Sequence, residues 1–374
     1  MKVWLKFLIG SILGAICALV FPFENKALFS FLELVTEIVI RFGRYMVIPL
    51  MFFTAVIAFN RLRDTKLLIK TGYWIGGVIV ASSFLLTIVG LISILIARIP
   101  RIPITVEKIP EIASLHIDDL LKSLFPFSAF DTLNNGTFLL SAYFFAMLVG
   151  AASTSDPVLF RPITQLADSL SKLMYKITVL FTEMFSVGMI AILCSWTIQF
   201  KDIILSGVYN PLILVLLIDF VVVAGIIYPL ILKYLCHDPH PYKVLYASIC
   251  SLITAFFSGD SNLVLPLNIR HGKESLGIRR RINGVSQPLF SIFARGGSAL
   301  VTTVSFIVIW RSYSSLNIPF LDILWITFVS FGISFLYKNA PPIVRPTTSN
   351  REKKLYIVTV KPGIEEKNAT KSGS

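Results

Sequence analysis

The chain has 374 residues, of which 55% are hydrophobic, 13% aromatic and only 15% charged, with a formal net charge of +13. Charged residues normally make up about a quarter of a soluble protein, and too few polar groups are present here to cover a water-facing surface. Together with a mean hydropathy of +0.77, this excludes a soluble enzyme, a nucleic-acid binder and a disulfide-stapled secreted domain, and makes lipid the solvent. The basic residues fall in short clusters between apolar runs rather than on one basic face, which is what the positive-inside rule produces. No nucleic-acid partner is expected.

Taken in chain order, apolar runs long enough to be spans lie at about 4–22, 31–59, 71–97, 138–152, 173–200, 203–232, 244–269, 282–310 and 316–337. They are long and unbroken rather than alternating with period two, so helices are expected and a membrane barrel is not. The first run is read as a retained span, with a cleaved leader as the alternative. Lys2 and Lys6 precede it, and Arg61, Arg63, Lys66 and Lys70 follow the second run. Both stretches are therefore expected in the cytoplasm, and the charge-balanced segment 98–137 outside. Alternation then places 153–172 inside, 201–202 outside and 233–243 inside. Cys17, Cys194, Cys236 and Cys250 lie in or beside apolar runs without paired spacing, and His237 and His240 sit in a polar turn. None of these suggests a metal site.

The run 244–269 breaks the alternation. Crossing would put Arg270, Lys273, Arg279, Arg280 and Arg281 outside, and the middle of the run reads Ser-Gly-Asp-Ser-Asn over 258–262. Both features predict a hairpin that enters from the cytoplasm, turns within the membrane and returns. Non-helical backbone at that depth is tolerated where it lines a cavity, so the tip Asp260, Ser261 and Asn262 is a candidate binding site. The next run carries Arg295 in Phe-Ala-Arg-Gly-Gly-Ser over 293–298. A cation at that depth costs at least about 2.5–3.5 kcal/mol on insertion scales, while Gly296 and Gly297 favour a break in the helix. Two interrupted polar segments side by side form the pattern of a secondary transporter. No paired carboxylates, metal-ligand cluster, nucleophile–base pair or phosphate-cradling loop stands out, so no enzyme activity and no resident metal or cofactor are expected.

From about residue 5 to residue 310 these segments resemble the dicarboxylate/amino acid:cation symporters, the glutamate-transporter family. Met46-Val-Ile-Pro49-Leu is similar to a family M-x-x-P segment. Phe127-Ser-Ala-Phe130, Leu133-Asn-Asn135-Gly136 and Phe144-Phe145-Ala146 are similar to N-P-F…L-A-N-G…F-F-A, and Leu173-Met174-Tyr175-Lys176-Ile177 to A-M-Y-K-I. The matches are collinear. The functional motifs depart from the family. A serine-rich hairpin tip is replaced by Asp260-Ser261-Asn262, with Pro266 at the family spacing. A sodium-holding N-M-D-G-T-A-L stands here as Ala294-Arg295-Gly296-Gly297-Ser298-Ala299-Leu300. Carry-over is limited to Ser261, Gly297 and Ser298.

The resemblance implies an all-α polytopic bundle of about seven or eight transmembrane helices with a re-entrant hairpin. It implies scaffold spans near 4–59 and 138–200, a transport unit near 71–97 and 203–310, and a homotrimer working by an elevator motion in the inner membrane. Residues 316–337 resemble the start of a second hairpin. Residues 338–374 read as a polar cytoplasmic tail, where the family would continue with an eighth helix; truncation and a shifted frame are the two readings. The expected substrate is a small anionic amino acid or dicarboxylate such as glutamate, aspartate or succinate. Sodium or a proton is the candidate coupling ion, and loss of the sodium-site acid argues for weak sodium coupling. Arg295 is expected either to pair with Asp260 or to meet an anionic ligand directly. A folded relative that does not transport, such as a membrane sensor or binding subunit, and an inactive product are the alternatives.

Overall fold

The computed structural model describes residues 3–20, 26–97, 99, 124–134, 139–313 and 320–336. Every element among them is helical. In chain order they are α1 (Val3–Val20), α2 (Lys26–Tyr45), α3 (Val47–Asp64), α4 (Leu68–Ala97), α5 (Ala129–Asn134), α6 (Leu139–Ala152) and α7 (Arg161–Leu205). There follow α8 (Asn210–Val222), a π-helical turn (Val223–Ile227), α9 (Tyr228–Tyr234), α10 (Pro241–Ser258), α11 (Ser261–Glu274), α12 (Arg280–Phe293), α13 (Gly296–Tyr313) and α14 (Phe320–Leu336). Five helical stretches are long and apolar enough to cross a membrane: Ala27–Arg63, Leu68–Ala97, Arg161–Lys201, Asn210–Tyr234 and Arg280–Ser312. Trp4–Val20, Leu139–Ala152 and Leu321–Gly332 are shorter apolar helices. The outer faces carry large apolar side chains such as Ile12, Phe31, Trp74, Leu180 and Leu217, a surface that only lipid would solvate. The protein is a multi-pass membrane protein.

Several boundaries move from their expected places. The run 31–59 is two helices that meet at Met46. Pro49 has no N–H for the Tyr45 carbonyl, so the ladder is interrupted where the chain passes from α2 to α3. The expected outside turn at 201–202 falls later, because α7 continues to Leu205 and the reversal waits for Gly207, whose φ is +71°. At 45 residues α7 is roughly 68 Å long, about twice the hydrocarbon thickness. Its first turns therefore extend beyond the span expected at 173–200. Asn135 and Gly136, most of 98–137, the remainder of the suggested second hairpin and the tail 338–374 lie outside the described residues.

Three larger apolar cores organise the bundle, beside a small fourth of Ala18, Leu32 and Cys194. One joins α3 and α6 with Ile75 and Ile79 of α4, Leu265 and Ile269 of α11 and Val285 of α12. A second joins α4, α8, α13 and α14 through Leu86, Ile94, Val215, Val304 and Ile326. The third packs Phe7 of α1 and Phe185, Met189 and Ile192 of α7 against Cys250 of α10 and Leu263, Val264 and Leu267 of α11. The hairpin α10–α11 is thus gripped from two sides, with α12 beside it.

Close backbone approach sets the α3–α6 contact. A Cβ on Gly150 would lie 2.5 Å from the Val56 carbonyl oxygen and 2.9 Å from Phe59 Cβ, whereas one on Gly77 of α4 would meet nothing within 4 Å. Backbone cannot step aside as a side-chain tip can, and overpacking of this kind costs about 1–3 kcal/mol. Gly150→Ala is expected to lower the thermal unfolding midpoint of the detergent-solubilised protein by several degrees while Gly77→Ala leaves it unchanged. Equal midpoints for the two variants would refute this account of the contact.

Candidate functional site

The chain reverses between α10 and α11 at Gly259, whose φ of +62° is the left-handed conformation a residue without Cβ adopts freely. Asp260 then begins α11 as its N-cap, its Oδ1 accepting the Asn262 N–H at 3.0 Å. Pro266 lies within α11 and cannot donate back to the Asn262 carbonyl, which removes one helix bond near the tip. A turn thus separates the two helices within the expected 258–262, and the second of them is capped.

The neighbouring interruption lies between α12 and α13 at Ala294 and Arg295, just before the glycine pair rather than within it. An interrupted helix leaves its last four carbonyls without intrahelical donors, and each finds one here. Phe290 O accepts from Ala294 N at 2.9 Å and Phe293 O from Arg295 N at 2.8 Å. Ser291 O accepts from the Ser261 hydroxyl at 3.3 Å, and Ile292 O from Arg295 Nε at 3.2 Å. The Ser291 hydroxyl donates in return to Ser261 O at 3.0 Å and lies 3.5 Å from Asn262 Oδ1. The hairpin tip is thus docked on the end of the broken helix by reciprocal serine bonds. Arg295 places its cation at the negative end of α12, where the helix dipole favours it.

Past the break, Gly296 lets α13 approach α4: a Cβ there would lie 2.5 Å from Leu86 Cδ1 and 3.3 Å from Ser82 O. Gly297 and Ser298 are exposed in the first turn of α13, and the Ser298 hydroxyl donates to Arg295 O at 2.7 Å. The first bond of the helix is Ala299 N to Arg295 O, so the earlier amides of the turn point outward unbonded, as at any helix start. Beyond its Nε bond, the half-buried Arg295 guanidinium has no hydrogen-bond or ion-pair partner among the described residues. Its positive head therefore sits beside a helix N-terminus, two features that both favour an anion.

Asp260 makes no salt bridge to Arg295, although its charge acts on the guanidinium from nearby. Its Oδ2 is taken by Arg44 Nε at 2.5 Å, with the aspartate side chain 12% exposed and the arginine 47%. Arg44 comes from the last turn of α2, an element the sequence reading assigned no role at the tip. The signal was weak, because α2 carries Glu33, Glu37 and Arg41 as well as Arg44. Ser291 carried no such signal, since an isolated serine in a helix has many uses. The arrangement brings together all six residues read from the sequence, with Asp260, Ser261 and Asn262 on the tip and Arg295, Gly297 and Ser298 at the break. Arg44 and Ser291 complete the set.

The far end of the hairpin is held by a second polar group. Tyr175 of α7 donates to Glu274 Oε1 at 2.6 Å, Arg270 Nε donates to Oε2 at 3.0 Å, and Lys273 Nζ lies 3.9 Å from the centre of the Tyr175 ring. Nearby, Asp168 of α7 collects Arg61 of α3, its own helix neighbour Lys172 and Arg280 of α12 at 3.3, 2.6 and 2.9 Å. Burial pushes the Glu274 carboxyl up, but the hydrogen bonds from Tyr175 and Arg270 and the Arg270 charge outweigh it and hold the group below its ordinary value.

These features define a class: a polytopic membrane protein in which a turn between two helices meets an interrupted helix at a cluster of polar groups, the build of a secondary transporter. Residues 3–341 match the family model described as the sodium:dicarboxylate symporter family. The chain belongs to that family, which is one of secondary transporters for dicarboxylates and amino acids rather than of enzymes.

Two expectations follow. The Arg44–Asp260 pair is half exposed on one side, so its loss is expected to cost on the order of 1 kcal/mol. Asp260→Arg and Arg44→Asp should each lower thermal stability, and the exchanged double variant should recover part of the loss; a double variant worse than the sum of both would refute the pair. Glu274, with its carboxyl held below the ordinary value, adds stability above about pH 4.5 that is lost as pH falls through its folded value. The stability difference between the native protein and Glu274→Gln should therefore be constant near neutrality and shrink toward zero in acid. A difference that grows on acidification would refute the sign.

Proposed function

We propose that the protein is a secondary transporter for a small anionic amino acid or dicarboxylate, and that it holds a substrate carboxylate between Arg295 and the first turn of α13. The observation that carries this reading is the Arg295 guanidinium, whose terminal nitrogens have no partner beside the exposed amides of Gly297 and Ser298. A carboxylate there would gain charge-assisted hydrogen bonds from the arginine and the favourable end of a helix dipole. Asp260, Ser261 and Asn262 form the facing wall, and Arg44 shares the charge of Asp260 with Arg295.

On this reading α4 and α8–α13 move as a transport unit against a scaffold of α1–α3, α6 and α7, within a homotrimer of the inner membrane whose N-terminus and tail face the cytoplasm. Ligand acts by stabilising one facing of the unit over the other. Sodium coupling is weak, because Arg295 supplies a fixed positive charge where the family pattern has an acid that holds a cation.

Reconstituted protein in liposomes tests this with labelled aspartate, glutamate and succinate, with and without a sodium gradient. Uptake of at least one of them is expected without sodium. Removing a charged hydrogen-bond donor costs about 1.5–3 kcal/mol, so Arg295→Ala should lower apparent affinity roughly 10- to 100-fold. Absence of uptake from folded protein would favour a relative that binds without transporting. Accumulation driven only by sodium would overturn the fixed-charge account.

A further inference from the structure

A second ionisable group lies inside the bundle, away from the hairpin tip and the break. Asp219 is on α8 and is 4% exposed. Residues 211–232 around it carry no other charge, and their outer face shows Leu214, Leu217, Phe220 and Val221 to the surroundings. Asp219 points the other way. One turn before it and one turn after it on the same face, Val215 and Val223 are buried in the core formed with α4, α13 and α14. The carboxyl receives a hydrogen bond from Ser93 of α4, and its Oδ2 has no partner among the described residues.

The titratable and charged groups on the surrounding elements do not neutralise it. Residues 71–97 of α4 contain no charge. On α13 the cation is Arg311, whose Nη1 donates to Ile94 O of α4 at 3.4 Å. On α9 the Tyr228 hydroxyl bonds Ser82 at 3.1 Å. Tyr209 precedes α8, and Asp322 at the start of α14 is a second acid. None of these groups is hydrogen-bonded or ion-paired to Asp219. An unpaired carboxylate in such surroundings loses its hydration without compensation, and the group escapes that penalty by keeping its proton. Acids inside membrane segments are accordingly rare and tied to ion pathways and proton relays.

Two further features connect Asp219 to movement and to the break. The π-helical turn Val223–Ile227 starts four residues after it, a wide turn of the kind that accumulates at functional sites. On α4 the buried hydroxyls of Ser83 and Thr87 lie between the Ser93 level and the break, and the Ser83 hydroxyl itself has no partner. Ser83 is in turn the neighbour of Gly296 at the start of α13. A single helix thus carries polar groups from Asp219 to the α12–α13 interruption over roughly 15 Å.

We propose that Asp219 is a proton-binding site within the membrane, occupied by a proton in this state, and that this proton is the ion coupled to transport. The step is a plain acid–base exchange: the carboxylate takes one proton from water on one side, moves through the bilayer as the neutral acid, and releases it on the other side. Ser93 orients the carboxyl and donates to it when it is charged. A lone carboxylate with a single hydroxyl offers too few oxygens for a sodium ion, which favours the proton. The binding site stands on its own observations; the coupling role rests on the transporter reading given above.

Infrared spectroscopy of the purified protein in lipid, titrated from acid to alkaline pH, tests the site. The expected result is a protonated-carboxyl band that persists at neutral pH, disappears on alkalinisation, shifts in Asp219→Glu and is missing from Asp219→Asn. A native protein without such a band at neutral pH, a band untouched by both substitutions, or a band removed by sodium ions at constant pH would each overturn the proposal. Asp219→Glu retains an acid, so the experiment decides even where Asp219→Asn does not fold. Coupling is read separately in liposomes that hold a pH-sensitive dye, with labelled succinate and aspartate outside. One proton should enter with each substrate molecule, and Asp219→Asn should move substrate with no proton. Native uptake without proton entry would overturn the coupling role. Failure of all uptake would count against the transporter reading and leave the infrared result to decide the site.

Discussion

Backbone groups freed where a helix is interrupted inside lipid have no water to turn to, so the protein itself must bond them. Much of the central architecture answers that constraint. The hairpin tip and the α12–α13 break lie together because each supplies what the other lacks. Ser261 donates a hydrogen bond to a carbonyl of the broken helix, Ser291 donates one to a carbonyl of the tip, and Arg295 closes the next carbonyl with its Nε. Asp260 supplies the cap that starts the second leg of the hairpin. The two interruptions are mutually dependent, and neither would be stable against an ordinary helix surface.

The same constraint accounts for the charges. Arg295 is a cation in an apolar run, yet it sits at the end of a helix whose carbonyls favour it. Asp260 is an acid at a hairpin tip, yet one oxygen caps a helix and the other meets Arg44. Each charge thus has a local structural role as well as a place beside the candidate ligand site. Asp219 differs from both, because its Oδ2 has no partner among the described residues. That difference is what the proposed proton on Asp219 would answer.

At the opposite end of the hairpin the logic is that of a water-facing surface. Glu274, Tyr175, Arg270 and Lys273 form one group, and Asp168 gathers three basic side chains from α3, α7 and α12. These contacts join the hairpin base and α12 to α3 and α7 through exposed or half-exposed pairs, which are individually weak. The serine contacts at the tip are short-range and directional, while the base is held by charges.

The sequence by itself determined that the chain is an all-helical membrane protein, because composition and run length alone fix the solvent and the element. It also located both interruptions, since Gly259 with its polar flanks and Arg295 with its glycines are local departures from apolar helix. Family membership was legible for a related reason: collinear short motifs survive along the chain even where the functional ones have changed. What it left open were the partners. Asp260 was equally placed to meet Arg295 or another cation, and Arg44, more than two hundred residues away, is brought to it only by the packing of α2 against α11. Ser291 gained its role from docking, not from any pattern around it. Asp219 lay unremarked in a long apolar run until burial and the absence of a partner for its Oδ2 set it apart. Periodicity and hydropathy are properties of neighbours along the chain, whereas the pairing of a charge depends on which helices share a face, and that is decided only when the bundle closes.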